Sequence, residues 1–366
     1  MQFSCSRQRL ADVLSPINEI IPDRLAKPIL HNFSISPAGD NTLLFQATDL
    51  EVGLRYRFEV ENLVDAESIL IPVRRFNALV QGDSSNEWKV SISGGKMEIR
   101  NGNGKLNIIG NTSDEFPPIA EMDENDQQVI FINGDDLCQA ISKTVFCVAR
   151  GDSRYALNGV FFRYEGNMAE FVASDTHRLS RVVCKVRNPE NLSGQGIIIP
   201  RGMNILSKLA AGHESVALKF TGKELIVRTR NASLVIRLVD GQFPRYREVI
   251  PEKAENTVTV DREEWSRILR LAGCLSNEET RVVKIAVGDG KMLVNAEGGD
   301  TGDARQELTA ETSGEFPELS FNFLFLIEML KALGEEKIVL RIKDADTPLR
   351  VDSGDFTHIV MPLRRY

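Results

Sequence analysis

Ser6-Arg7-Gln8-Arg9-Leu10-Ala11-Asp12-Val13-Leu14 is the stretch whose recurrence decides the fold. A residue able to cap a helix precedes Leu10, Val13, Leu14 and Ile17, which stand at helical spacing. The pattern returns as Gly134-Asp135-Asp136-Leu137-Cys138-Gln139-Ala140-Ile141, with the apolar line continuing to Val145. It returns again as Asp261-Arg262-Glu263-Glu264-Trp265-Ser266-Arg267-Ile268-Leu269. The offset is about 127 residues each time, far too long for a solenoid unit and right for a whole domain. A short strand-like stretch precedes each copy, at residues 1–3, 129–132 and 258–260.

Working outward, a second helix recurs at residues 72–80, 200–209 and 321–333. Pro72 and Pro200 start two of these helices, and Gly82, Gly212 and Gly334 follow all three. An alternating strand comes next in each copy, at residues 88–92, 216–220 and 337–342, and then a hairpin. Leu43-Leu44-Phe45-Gln46-Ala47-Thr48-Asp49 is echoed by Ala169-Glu170-Phe171-Val172-Ala173-Ser174-Asp175, and more faintly by residues 292–297. The expected fold class is therefore α+β. The 366 residues divide into three repeated domains, 1–124, 128–251 and 255–366, each with two helices packed on antiparallel sheet. The acidic run from Glu121 to Asp126 and residues 251–256 read as exposed linkers.

Composition narrows the function. The formal net charge is −8, which by itself disfavours a general nucleic-acid binder. Five scattered cysteines without a C-x-x-C read as reduced thiols in a cytosolic protein. No apolar run is long enough to span a membrane, and the N-terminus lacks an apolar signal region. The four histidines include no H-x₃-H pair, so neither a metal nor a cofactor is expected. The glycine pairs before Lys96 and Lys291 lack the rest of a phosphate loop and read as hairpin turns.

Ser174-Asp175-Thr176-His177-Arg178 is the most reactive-looking cluster. A hydrolase would use Ser174 as nucleophile and His177 as base, but no G-x-S-x-G elbow surrounds them. A polar turn at a strand end and a specialised binding surface are the two other readings. Charge offers a further clue. The six helices as bounded from sequence carry twelve basic and eight acidic side chains, an excess of +4, which leaves −12 elsewhere to give −8. Helices that share one face could then be basic on an otherwise acidic protein.

The chain resembles the bacterial beta sliding clamp family, the beta subunits of DNA polymerase III. The resemblance is carried by Arg24 with Pro28-Ile29-Leu30, by Tyr155-Ala156-Leu157-Asn158-Gly159-Val160, and by Ala173-Ser174-Asp175-Thr176-His177-Arg178-Leu179. Asp240-Gly241-Gln242-Phe243-Pro244-Arg245-Tyr246, Leu275-Ser276-Asn277-Glu278 and Val360-Met361-Pro362-Leu363-Arg364 complete it, in order along the whole chain. It implies the DNA clamp fold, with six domains forming a ring in a homodimer that encircles duplex DNA without reading sequence. The protein would be non-catalytic, a bacterial cytoplasmic, nucleoid-associated processivity factor with no membrane contact. About twelve helices spaced ~8–10 Å apart leave an opening of roughly 25 Å, enough for a duplex.

The resemblance also assigns residues. DNA contacts would come from Arg24, Arg75, Arg150, Arg154, Tyr155 and Arg201. The dimer interface would set Arg75, Leu106 and Ile108 against Cys274 and Leu275. A pocket between the second and third domains would take short linear motifs. Its residues would be Leu157, Ser174, Thr176, His177, Arg178, Leu179, Pro244 and Val249, with Asn322 and Phe325 at the edge. Ile359, Val360, Met361, Pro362, Leu363 and Arg364 would complete it. Implied partners are the DNA polymerase III catalytic subunit, the clamp loader, other polymerases and mismatch-repair proteins. The sequence departs from the family pattern in that Glu248 replaces a frequent Arg, Ala156 replaces a bulky aromatic, Cys274 is smaller than the usual apolar residue, and Arg365-Tyr366 follow Arg364. An enzyme built on Asp175 and His177, and a monomeric scaffold of three repeats, are the alternatives from other classes.

Overall fold

A computed structural model describes the chain except residues 22–26, 66, 103, 112–114, 124, 152–154, 253–254 and 364–366. Arg24, Arg154 and Arg364 therefore lie outside the described residues, as does the side chain of Tyr155. The six expected helices are α1 (Arg7–Ile20), α2 (Val73–Gly82), α3 (Gly134–Ser142), α4 (Pro200–Ala210), α5 (Arg262–Gly273) and α6 (Phe323–Ala332). Two compact units hold them. One comprises Met1–Cys138, Tyr164–Asn167 and Lys185–Leu238; the other comprises Gln139–Arg163, Met168–Cys184 and Val239–Tyr366. The central repeat thus contributes strands to both.

In the first unit, Ser6 caps α1 by accepting from the Arg9 amide at 3.4 Å, and Leu10, Val13, Leu14 and Ile17 are buried. α2 buries Val73, Phe76 and Val80. Phe33, Phe45, Phe58, Phe76 and Trp88 form a chain of ring contacts with centroids 5.2–5.9 Å apart. The Trp88 indole donates to Asp83 at 2.5 Å. Hydrogen bonds from Ser85, Trp88 and Asn101 hold the Asp83 carboxyl well below the usual range. A sheet runs in the order Ile130–Ile132, Val216–Phe220, Glu224–Arg228, Ala232–Arg237, Val52–Glu59, Thr42–Thr48, Asn32–Pro37, Ile69–Pro72. Leu234 faces Leu54 across the antiparallel join between repeats. Joining there leaves neither strand with a bare hydrogen-bonding edge.

The expectation of an exposed acidic linker at 121–126 holds for Glu121, Asp123 and Asn125 and is corrected at Met122 and Asp126. Met122 is 3% exposed and packs with Ile119, Ala217, Ile226 and Val235. Glu121 pairs with Arg55 at 2.7 Å, and Asp126 pairs with Lys219. One apolar anchor between two ion pairs straps the run onto the sheet. The helix boundaries also differ. α3 ends at Ser142, and Val145 lies in a separate 3₁₀ turn, Val145–Cys147. Lys143 and Arg150 therefore leave the helix tally, as does Asp261, which caps α5 by accepting from the Glu264 amide at 2.7 Å. Ten bases against seven acids then give +3 rather than +4. Of the three exit glycines, only Gly212 takes a left-handed conformation, at φ +72°.

In the second unit the sheet runs Met168–Ser174, Arg178–Lys185, Phe356–Val360, Leu349–Ser353, Lys337–Ile342, Asn256–Asp261, Asp303–Ser313, Lys291–Glu297, Val282–Gly288, Leu319–Asn322. α5 buries Trp265, Ile268, Leu269 and Ala272. Phe162 stacks on Phe171 at 4.4 Å. His358 is wholly buried, with Nδ1 2.7 Å from the Ser180 hydroxyl, which lies 3.1 Å from Cys147 Sγ. Burial, and then the nearby positive charge of Arg178, push the imidazole down to about 3. Burial pushes the Cys147 thiol up to about 12, so both groups are neutral and inert at pH 7.

Protonating His358 favours the unfolded chain, where a histidine titrates near its ordinary value of about 6.5. Its contribution is complete above that pH and is lost as the pH falls toward 3, by about 1.4 kcal/mol per unit. Urea unfolding of His358→Gln should show this slope removed. The variant should lose about 2–3 kcal/mol less than the wild type between pH 6.5 and 4.5.

Candidate functional site

The strand Arg178–Lys185 lies antiparallel to the last strand, with Arg178 opposite Val360, Leu179 opposite Ile359 and Ser180 opposite His358. Just before it, the Ser174–Arg178 cluster forms a tight turn. The Ser174 hydroxyl donates to the Arg178 carbonyl at 2.9 Å. Asp175 Oδ1 accepts from the amides of His177 and Arg178, each at 3.0 Å. Thr176 sits at φ +76°. The serine and the aspartate both serve the backbone here, so the cluster is a shaped turn rather than a nucleophile with its base.

The turn holds the end of the chain. The Met361 amide donates to the His177 carbonyl at 2.8 Å, and the Leu363 amide donates to the Ser320 carbonyl at 2.7 Å. The Arg178 guanidinium is buried and serves as a strut. Its Nε donates to Asp175 at 3.0 Å, its terminal nitrogens donate to Glu328 and to the Phe146 carbonyl, and it lies 4.3 Å from the Phe325 ring centroid. The His177 ring stacks on Phe325 at 6.3 Å. Asn322 caps α6, its Oδ1 accepting from the Leu324 amide at 3.0 Å.

The sequence-derived pocket residues thus come together in one unit, in two layers. Leu157, Leu179, Ile359 and Val360 are buried. Thr176, His177, Pro244, Val249 and Met361 are exposed, while Ser174, Asn322, Phe325, Pro362 and Leu363 are partly so. Met361 borders two grooves. One, of about 700 Å³, also has Glu248 and Val249 in its lining; the other, of about 850 Å³, has Leu319, Pro362 and Leu363. Exposed apolar side chains suit the anchors of an extended peptide.

Sequence reasoning missed Glu170. Its side chain is 8% exposed and accepts from Arg181 Nε, the Tyr246 hydroxyl and Arg247, each at 2.8 Å. Burial alone would raise its pKa, but the hydrogen bonds from Arg181, Tyr246 and Arg247 outweigh it and hold the carboxyl below the usual range. Glu170 thereby ties the 3₁₀ turn Tyr246–Val249, and with it Val249, to the sheet. One acid amid Ala169, Phe171, Val172 and Ala173 was the available signal.

The other assigned residues are less alike. Arg75 and Arg150 are exposed. Arg201 is half-buried and engaged by Asp49, by Glu51 at 3.5 Å and by the Ile20 carbonyl at 3.2 Å. On the strand Gly104–Ile109, Ile108 is 5% exposed and Leu106 partly buried, whereas the neighbouring Ile109 is 77% exposed. The two-residue period of a strand puts Ile109 on the face opposite Ile108. Cys274 is exposed and Leu275 partly buried.

Comparison with known proteins agrees with this architecture. Residues 1–120, 131–245 and 247–364 match the models of the N-terminal, central and C-terminal domains of the DNA polymerase III beta subunit. The beta sliding clamp of Vibrio cholerae is 29% identical over 370 residues, and that of Escherichia coli K12 is 26% identical over 371, with both chains of each pair fully covered. Two crystal structures of the DNA polymerase III beta subunit from Pseudomonas aeruginosa are each 25% identical over the whole of both chains. Their TM-scores are 0.89 and, for the one bound to griselimycin, 0.91. The fold is that of a clamp protein built from three repeated domains, and its relatives are named as clamps rather than enzymes. The chain belongs to the DNA polymerase III beta subunit family, the beta sliding clamps.

Glu170→Ala leaves Arg181, Tyr246 and Arg247 without their shared acceptor and removes the ion-pair partner of Arg163, 3.3 Å away. It should destabilise the protein by about 1–3 kcal/mol in urea unfolding, whereas Tyr246→Phe should cost only about 0.5–1.5 kcal/mol.

Proposed function

We propose that two copies of this chain close into a ring around duplex DNA, slide along it without reading sequence, and hold a replicative DNA polymerase through the groove beside Met361. The match of all three clamp domain models along the full chain carries this reading. The three repeats serve as domains 1–124, 128–251 and 255–366. Work is topological: a closed ring stays on DNA without tight phosphate contacts, and tight contacts would oppose sliding. Exposed Arg75 and Arg150, together with Arg24, Arg154 and Tyr155, supply weak backbone contacts. Arg201 adds less, because Asp49 and Glu51 already neutralise it.

Ring closure is assigned to two sheet edges. Gly104–Ile109 is the last strand of its sheet, with a single neighbour, Lys96–Asn101. Residues 303–309 pair with Lys291–Glu297 on one side, while only 310–313 pair on the other, with 257–260. An exposed edge carrying Ile109 suits pairing with a second copy. Arg75, Leu106 and Ile108 would back one edge, and Cys274 and Leu275 the other. The groove serves the polymerase catalytic subunit, the clamp loader, other polymerases and mismatch-repair proteins, all through short linear segments. The setting is the bacterial cytoplasm, at the nucleoid.

Light scattering should give about 82 kDa, twice the chain mass of 40.8 kDa. The protein should stay on nicked circular DNA and run off once the circle is cut. A monomer, or retention indifferent to DNA ends, would overturn the ring. Ile109→Lys should shift the dimer toward monomer by at least about tenfold in dissociation constant. A chain ending at Val360 should keep the dimer and lose peptide binding; full-strength binding by that chain would refute the docking assignment.

A further inference from the structure

We propose that the groove beside Met361 selects linear segments that carry positive charge next to their apolar anchor. This rests on the docking reading above and adds the electrostatic class of the segment. The floor is apolar and open, with Val249 52% and Met361 37% exposed, and Pro251 and Pro348 complete it. Around it stand the carboxylates of Glu248, Glu252, Glu255 and Asp346, all exposed, against one base, Lys343. Four minus one is a net charge of −3 among the described lining residues. Asp346 and Met361 also line the adjoining groove.

Among the described residues, the nearby arginines do little to cancel this field. Arg247, next to Glu248, donates to Glu170 at 2.8 Å. Arg245 reaches Glu248 only at 3.5 Å, with the two side chains 88% and 69% exposed, a geometry in which an ion pair contributes little. Arg178 is balanced by Asp175 and Glu328. Acids alone on a surface would point to nothing but hydration. Here they rim an exposed apolar floor, so a segment that buries its anchor on Val249 and Met361 must lay its flanks along the carboxylates. Basic flanks are attracted there and acidic flanks repelled, which gives the groove selectivity as well as affinity.

The test uses the full chain and fluorescence anisotropy with three labelled decapeptides. They share one leucine–phenylalanine core and differ only in flanks of lysine, alanine or glutamate. At about 50 mM salt the lysine-flanked peptide should bind about tenfold tighter than the glutamate-flanked one, and the gap should narrow to about twofold at about 500 mM. Glu248→Arg combined with Asp346→Lys should invert the order, which misfolding cannot do, because one peptide must then bind better. Equal affinities at low salt, or tighter binding of the glutamate-flanked peptide, would overturn the charge selectivity while leaving docking intact. If the alanine-flanked peptide and both others fail to bind, the docking reading itself falls, and this inference with it.

Discussion

The antiparallel ladder between Arg178–Val182 and Phe356–Val360 is the constraint on which the site depends. It joins a strand of the central repeat to the last strand of the chain, residues far apart in sequence. Both faces are buried: Leu179 and Ile359 lie on one, Val360 and His358 on the other, where His358 Nδ1 is 2.7 Å from the Ser180 hydroxyl. At its end Arg178 gathers Asp175, Glu328, the Phe146 carbonyl and the Phe325 ring. A buried guanidinium is stable only with its donors spent, and spending them fixes a turn, a helix and a 3₁₀ segment relative to the strand. The exposed edge above it, Thr176, His177 and Met361, inherits that rigidity. A preformed edge spares an incoming peptide the cost of ordering its receptor.

The same accounting of partners bears on DNA. Two helical bases are also paired with acids outside the helices: Arg201 with Asp49 and Arg9 with Glu59. A helix excess of +3 therefore overstates the positive charge available to a ligand. That restraint suits a protein held by topology, for which strong phosphate binding would be a brake. The acidic surroundings of the groove follow a different logic. There the carboxylates of Glu248, Glu252, Glu255 and Asp346 stand around exposed Val249 and Met361, an arrangement that suits discrimination by charge.

Much of this was legible in the chain. The spacing of Leu10, Val13, Leu14 and Ile17, and of Trp265, Ile268 and Leu269, marked helices that the structure contains. The repeated hairpins were found where alternation placed them, at Lys96–Asn101 with Gly104–Ile109 and at Glu224–Arg228 with Ala232–Arg237. The third helix ran too long in the sequence reading, because Val145 kept the apolar period after the helix had given way to a 3₁₀ turn. Met122 was hidden in an acidic run whose composition suggested solvent. Local pattern reports which way a residue can face, but not whether a distant sheet offers a surface to receive it.

The sequence by itself determined the three-fold repeat, the helix and strand order, the family and the composition of the proposed docking edge. Those follow from periodicity and residue type, which are properties of neighbours along the chain. Only the tertiary structure decided that the central repeat shares its strands between two units, that Glu170 holds the Tyr246–Val249 turn, and that Ile109 rather than Ile108 is the exposed isoleucine of its strand. It also decided that Ser174 serves a turn, that Arg201 is neutralised in place, and that carboxylates from separate segments meet around Val249 and Met361. Each of these is a pairing between residues distant in sequence. Such pairings are settled by which buried polar groups find partners and which strand edges find neighbours, and neither is written in local order.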